Sequence, residues 1–283
     1  MASIKTQTQR LDYLLQKFKE DSVRYRDLEV GESYEEMRMA LRSLMNIRSP
    51  KPMQEDVVQI QDAFLAEEAQ EKGIVSQDSI PTVAEQYGSR HIFADKISIW
   101  QGDITRIQTG AIVNAANSQM LGCFVPCHRC IDNAIHSAAG IQLRAECSRY
   151  MDRRKMQYGP RYEEPTGCAV LTKGYNLPAE YVIHTVGPIV GGVLNNGHRQ
   201  ALRDCYINVL KCCVENRIRS VAFCCISTGE FHFPGAEAAE TAVETVTGFL
   251  KGKESEFDRI IFNVFKDEDR KLYEKELAGE CND

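Results

Sequence analysis

Three side chains able to bind a metal, Cys123, His128 and Cys130, fall within eight positions of one another, and a carboxylate, Asp132, follows two residues later. Thiolate and imidazole are donors that suit Zn2+, and three protein donors rather than four leave one coordination position open for water or substrate. In a reducing compartment, a Cys/His set this tight favours a metal over a disulfide. Cys127 and Cys130 also make a Cys-x-x-Cys pair, the spacing of many structural zinc sites, so spacing alone leaves a closed four-donor site with Cys127 open. Four donors so close would strain the chain, and Pro126 restricts it further. The open three-donor layout is that of an enzyme.

Other residues offer binding chemistry. Asp103, in Gly-Asp-Ile-Thr (102–105), reads either as a turn cap or as an acceptor beside Ile104. Asn114 and Asn117 end a β-branched run and present amides at a loop mouth. Asp132 can act as a base, or as a helix-start carboxylate favoured by the macrodipole. His136, four residues on, reads as a packing neighbour rather than a metal ligand. In Ile226–Gly235, the run Ser227, Thr228, Gly229, Glu230, Phe231 joins a buried strand to a helix, where backbone N–H groups can approach a phosphate.

The elements that must position these groups fall into two styles. Up to about residue 75 the chain reads as helical: Leu11, Leu14, Leu15 and Phe18 share a helix face, a second pattern runs Tyr34, Met37, Leu41, Leu44, and a third spans 57–69. Pro50 and Pro52 separate the last two. Residues 76–92 are polar and punctuated by Pro81 and Gly88, and read as a linker laid over the next domain. From 93 to 278, strands at 96–101, 111–114, 168–173, 181–186, 220–226 and 259–265 alternate with helices at 131–149, 198–216, 235–251 and 267–277. This alternation predicts an α/β fold with a largely parallel or mixed sheet, whose ligands bind beyond the carboxyl ends of its strands.

Bulk properties narrow the function. A net charge of −6 argues against nucleic acid as the main partner, though not against a nucleotide held by backbone N–H groups. No apolar run reaches the length of a membrane span, and the N-terminus, Met1–Gln7, has no apolar leader core. Adjacent cysteines such as Cys212-Cys213 and Cys224-Cys225 read as small buried hydrophobes, consistent with a cytoplasmic protein.

Gly-Asp-Ile-Thr, Ile-Val-Asn-Ala-Ala-Asn-Ser (112–118), Ile-Asp-Asn-Ala-Ile-His-Ser-Ala-Ala-Gly (131–140), His-Thr-Val-Gly-Pro (184–188) and Ser-Thr-Gly-Glu-Phe occur in that order. The series resembles the macrodomain family, which binds ADP-ribose. Cys-Phe-Val-Pro-Cys-His-Arg-Cys (123–130) resembles its zinc-containing branch of ADP-ribosyl hydrolases, and Leu-Met-Asn-Ile-Arg-Ser-Pro (44–50) that branch's leading segment. The resemblance implies a three-layer α/β/α fold with a mixed central sheet behind an N-terminal helical extension. It implies Zn2+ on Cys123, His128 and Cys130, with Cys127 a bystander. Asp103 and Ile104 would meet adenine, and Ser227, Thr228, Gly229, Glu230 and Phe231 the pyrophosphate, with the Glu230 carboxylate turned away from it. Asn114 and Asn117 would hold the distal ribose, and Asp132, with Asn117, would serve the chemistry. Phe265 could pack on adenine, although a core position is the plainer reading. The implied activity is release of mono-ADP-ribose from a modified protein. A non-catalytic ADP-ribose reader and a hydrolase of free esters such as O-acetyl-ADP-ribose are the alternatives.

Overall fold

A computed structural model describes residues 6–278 of the chain. Residues 1–5, on which most of the reading of the N-terminus rests, lie outside the described residues. The chain opens with three helices, α1 (Gln7–Glu20), α2 (Tyr34–Ile47) and α3 (Glu55–Glu71). Capping boxes start the first two, Thr6 with Gln9 and Ser33 with Glu36, each satisfying helix N–H groups that would otherwise be orphaned. Leu11, Leu14, Phe18, Leu41, Leu44, Val57 and Phe64 bury one face of each helix in a core of their own. Ile141, from further along the chain, packs against that core.

The segment read as a linker is structured. It forms β1 (Val75–Ser76), a 3-10 turn and the short helix α4 (Val83–Tyr87), and it sends Ile80 and Val83 into the main core. Beyond it come β2 (Ile97–Gln101), β3 (Ile107–Gln108) and β4 (Ala111–Ala116), then α5 (Ile131–Ala139) and α6 (Ile141–Tyr158). The remaining elements are β5 (Val170–Lys173), β6 (Tyr181–Val186), α7 (Asn196–Glu215), β7 (Ser220–Phe223), α8 (Gly235–Leu250), β8 (Arg259–Val264) and α9 (Asp267–Ala278). Strands β1 and β3 pair by themselves, and the main sheet runs β2-β8-β7-β4-β6-β5. All its neighbours are parallel except β5, which is antiparallel to β6. Consecutive residues are buried along β4, β6, β7 and β8, so the sheet is covered on both faces, as near-continuous apolar runs in parallel strands require. This is the mixed α/β architecture expected, behind an N-terminal helical region.

The helix expected over 131–149 is two helices. Gly140 takes φ +93°, which breaks the ladder between α5 and α6, and a Cβ there would press on Gln61 and Asn176. A single glycine inside an otherwise helical pattern concealed the break.

Candidate functional site

The carboxyl ends of the parallel strands carry the candidate residues. Asp103 follows β2, Asn114 lies in the carboxyl-terminal half of β4, the 117–130 loop follows that strand, and Ser227–Phe231 follows β7. His128 and Glu230 bridge the two loops, with Nε2 and Oε1 at 3.7 Å. The Glu230 side chain is exposed, and its carboxylate leans toward His128.

Asp132 lies at the centre of a buried polar set. It sits in the first turn of α5, where the helix dipole favours a negative charge. Asn114 Nδ2 donates to its Oδ1 at 2.8 Å and Asn117 Nδ2 to its Oδ2 at 3.3 Å. Burial pushes this carboxyl up to about 6, while the Asn114 amide, the Arg144 guanidinium and the Asn117 amide hold it from going higher. It is therefore ionised at neutral pH yet basic for an aspartate. His136 Nε2 lies 3.5 Å from Asp132 Oδ1, and neither ring nitrogen of His136 has a hydrogen-bond partner. Burial holds His136 neutral, as a packing neighbour of the carboxylate.

Register across the sheet supplies a partner that sequence reading missed. Asn114 on β4 is level with His184 on β6, and Asn114 Nδ2 also approaches His184 Nδ1 at 3.0 Å. Since Asp132 as a carboxylate only accepts, Asn114 must turn its NH2 inward, and His184 Nδ1 must then be the acceptor. His184 is thus the neutral Nε2–H tautomer, donating to Thr172 Oγ1 at 2.9 Å, whose hydroxyl donates to Val182 O. Burial pushes His184 down to about 3, so the lock does not titrate near neutrality. Asn114 Oδ1 is left a buried acceptor with no protein partner, suited to a ligand hydroxyl. Asn117 is more occupied: its Oδ1 accepts from Gln119 N, and its Nδ2 also donates to Gly122 O.

The donor atoms of Cys123, His128 and Cys130 lie within 4.8 Å of one another, a group that does not include Cys127. His128 Nδ1 is buried without a partner. Cys130 is the N-cap of α5, and its sulfur accepts from Asn133 N at 3.4 Å. Burial nevertheless pushes the Cys130 thiol up to about 12, with Cys123 and Asp132 adding to the rise. Two thiolates here need a cation beside them, and two soft sulfurs with one imidazole suit Zn2+.

Asp103 does cap the following 3-10 turn: its Oδ1 accepts from Thr105 N and Thr105 Oγ1. Oδ2 makes no hydrogen bond among the described residues and stays available, with buried Ile104 beside it. In the loop after β7, Ser227 takes φ +66°, and Phe233 N closes the turn on Ser227 O. Among the described residues, the N–H groups of Ser227, Gly229, Glu230 and Phe231 donate to nothing in the protein, and buried Ser227 Oγ has no partner. Unused amides at a loop before a helix are what an anion needs. Phe265 is 75 % exposed, which overturns the core reading: the last buried residue of β8 is Val264, and the side chain beyond it stands in solvent.

A family model for the Macro domain matches residues 113–242. A protein-ADP-ribose hydrolase of Treponema medium is 41% identical over 274 residues, covering 96% of this chain and all of that protein. One from Staphylococcus aureus strain Mu50 is 38% identical over 278 residues, covering 98% of each. Among solved structures, the Trypanosoma brucei macrodomain in complex with ADP-ribose superposes with a TM-score of 0.61 at 29% identity, covering 82% of this chain and 94% of that one.

Proposed function

Because the chain belongs to the macrodomain family, we propose that the site described above is that of a protein-ADP-ribose hydrolase, acting on mono-ADP-ribosylated side chains with Zn2+ at Cys123, His128 and Cys130. Full-length similarity to protein-ADP-ribose hydrolases supports the activity. The observation that carries the site assignment is the buried Asp132 carboxylate, held by two asparagine amides beside a cluster of soft metal donors.

Each group has work that its chemistry suits. Asp103 Oδ2 accepts from the adenine amino group. The free amides of Ser227, Gly229, Glu230 and Phe231 hold the pyrophosphate, with the Glu230 carboxylate outside, while the Thr228 N–H is taken by Cys225 O. Asn114 Oδ1 accepts from a hydroxyl of the distal ribose, and its NH2 fixes the carboxylate. Asn117 positions Asp132 rather than offering a free amide. Asp132 takes a proton from water as the water oxygen bonds to the anomeric carbon and the bond from that carbon to the acceptor oxygen breaks. The proton then returns to the departing acceptor. Zn2+ on Cys123, His128 and Cys130 would supply positive charge near the distal ribose, a milder Lewis acid than one held by three neutral histidines because two thiolates offset its charge.

None of the ten described cysteines is in a disulfide, which suits a reducing cytoplasmic setting, and no helix among the described residues is long and apolar enough to cross a membrane.

The test is ADP-ribose release from a mono-ADP-ribosylated protein, with and without chelation. Release that stops on chelation and returns with zinc is expected. Saturable ADP-ribose binding without release would favour a reader, and faster cleavage of a free ester would redirect the substrate assignment. A Cys130→Ala protein that loses zinc yet keeps full turnover would end the role given to the metal.

A further inference from the structure

The loop carrying Cys123, His128 and Cys130 is tied largely to the N-terminal helices. Asn46, near the end of α2 and 1 % exposed, accepts from Cys127 N at 2.9 Å through Oδ1. Its Nδ2 donates to Ser137 Oγ on α5 at 2.9 Å. One turn earlier, Arg42 Nη2 donates to His128 O at 3.4 Å and to Asn133 Oδ1 at 2.8 Å, while Asn133 Nδ2 donates to Val125 O. Ser43 Oγ lies 3.2 Å from Cys127 Sγ, which bonds Met39 O. Arg144 of α6 completes the set. Its Nε and Nη2 donate to Leu121 O and Cys123 O in the loop, and its Nη1 to Met45 O, Asn46 O and Arg48 O at the carboxyl end of α2.

Met120 and Leu121 anchor the start of the loop in the core, but the stretch that carries the three donors is not packed there. Its tip, Phe124, Val125 and Pro126, is exposed, and Cys127 sits at φ +50°, an unfavourable region for a residue with a Cβ. Ordering such a segment costs conformational entropy, which contacts from outside the loop must offset.

We propose that α2 and Arg144 form the scaffold that presets the metal-bearing loop, with Arg42, Asn46 and Arg144 as positioning residues for Cys123, His128 and Cys130. The inference rests on the metal reading above and gives the N-terminal helices a function beyond stabilising the fold. It also assigns Cys127: the first cysteine of the Cys127-x-x-Cys130 pair anchors the loop to α2 instead of binding the ion.

The test uses the full chain with Arg42→Gln and Asn46→Ala, and with exposed Glu35→Ala on α2 as the control. Zinc affinity is read by competition with a chromophoric chelator, and loop order by hydrogen–deuterium exchange of residues 121–130. Zinc affinity should fall by about 10–100-fold, the loss typical when partners of metal ligands are removed. Exchange in the loop should accelerate at least about tenfold relative to the central strands, with ADP affinity changed less than about twofold. Zinc affinity within about threefold of wild type, or faster exchange spread evenly over the chain, would overturn the proposal. If the wild-type protein binds no zinc, the metal reading fails, and the scaffold stands or falls on whether faster exchange is confined to the loop. Should Asn46→Ala not fold, Arg42→Gln, at a half-buried position, carries the same test.

Discussion

Replacing Asp132 by asparagine should make the metal-free protein more stable while stopping its chemistry. Burial raises this carboxyl from 3.8 to about 6 in the folded chain. A rise of about two pKa units corresponds to about 3 kcal/mol of strain in the ionised form. The sign follows from proton binding. Between about pH 4 and pH 6 the folded state holds this proton more tightly than the unfolded state, so stability is higher below the unfolded pKa and falls as pH rises toward the folded one. Above about pH 6 the full penalty is present. Asparagine has no charge to bury, but its NH2 must face one of the two donors, Asn114 or Asn117, and that mismatch costs about 1–2 kcal/mol. Chelated Asp132→Asn protein should therefore exceed chelated wild type by about 1–2 kcal/mol at pH 7.5, and the advantage should vanish near pH 4.5. Urea denaturation of both proteins across that range measures the gap, and comparing them cancels the other titrating groups. Turnover should fall by about 10²–10⁴, the usual contribution of a general base. A variant less stable than wild type at pH 7.5, or a gap that ignores pH, would refute the picture of a carboxylate made basic by burial.

Phe265→Ala should weaken ADP-ribose binding by about tenfold, measured calorimetrically, with the melting temperature unchanged because the ring is exposed. Unchanged affinity would remove Phe265 from the adenine subsite. Gly187→Ala should loosen ADP-ribose binding by about tenfold or more at unaltered metal content, because the new Cβ would collide with Ser227 Oγ and crowd Ile226. His184→Leu frees the Asn114 amide, so steady-state kinetics should show kcat reduced about tenfold or more with KM little changed; a rise in KM alone would disprove the lock.

What the sequence disclosed was local. Cys123, His128, Cys130 and Asp132 lie close together in the chain, so their types and spacing could be read directly. The strands were visible as short apolar runs, because strands covered on both faces need them. Contacts formed across the fold left weaker traces. His184 meets Asn114 only through the parallel register of β4 and β6, 70 residues apart. Arg144 donates to backbone carbonyls and Asn46 accepts from the Cys127 backbone N–H, and such main-chain groups place no demand on the residue that bears them. Phe265 reads as the end of a buried strand until the strand is seen to stop at Val264.

Arg144 donates to carbonyls at both the end of α2 and the loop after β4, so two distant stretches of sequence share one side chain. Such sharing limits how the protein can be taken apart or recombined. The 117–130 loop transplanted into a related domain without these helices would carry Cys123, His128 and Cys130 but lack the framework that orders them. The helices, the arginine and the loop should thus be inherited, lost or engineered together, as a single unit of exchange.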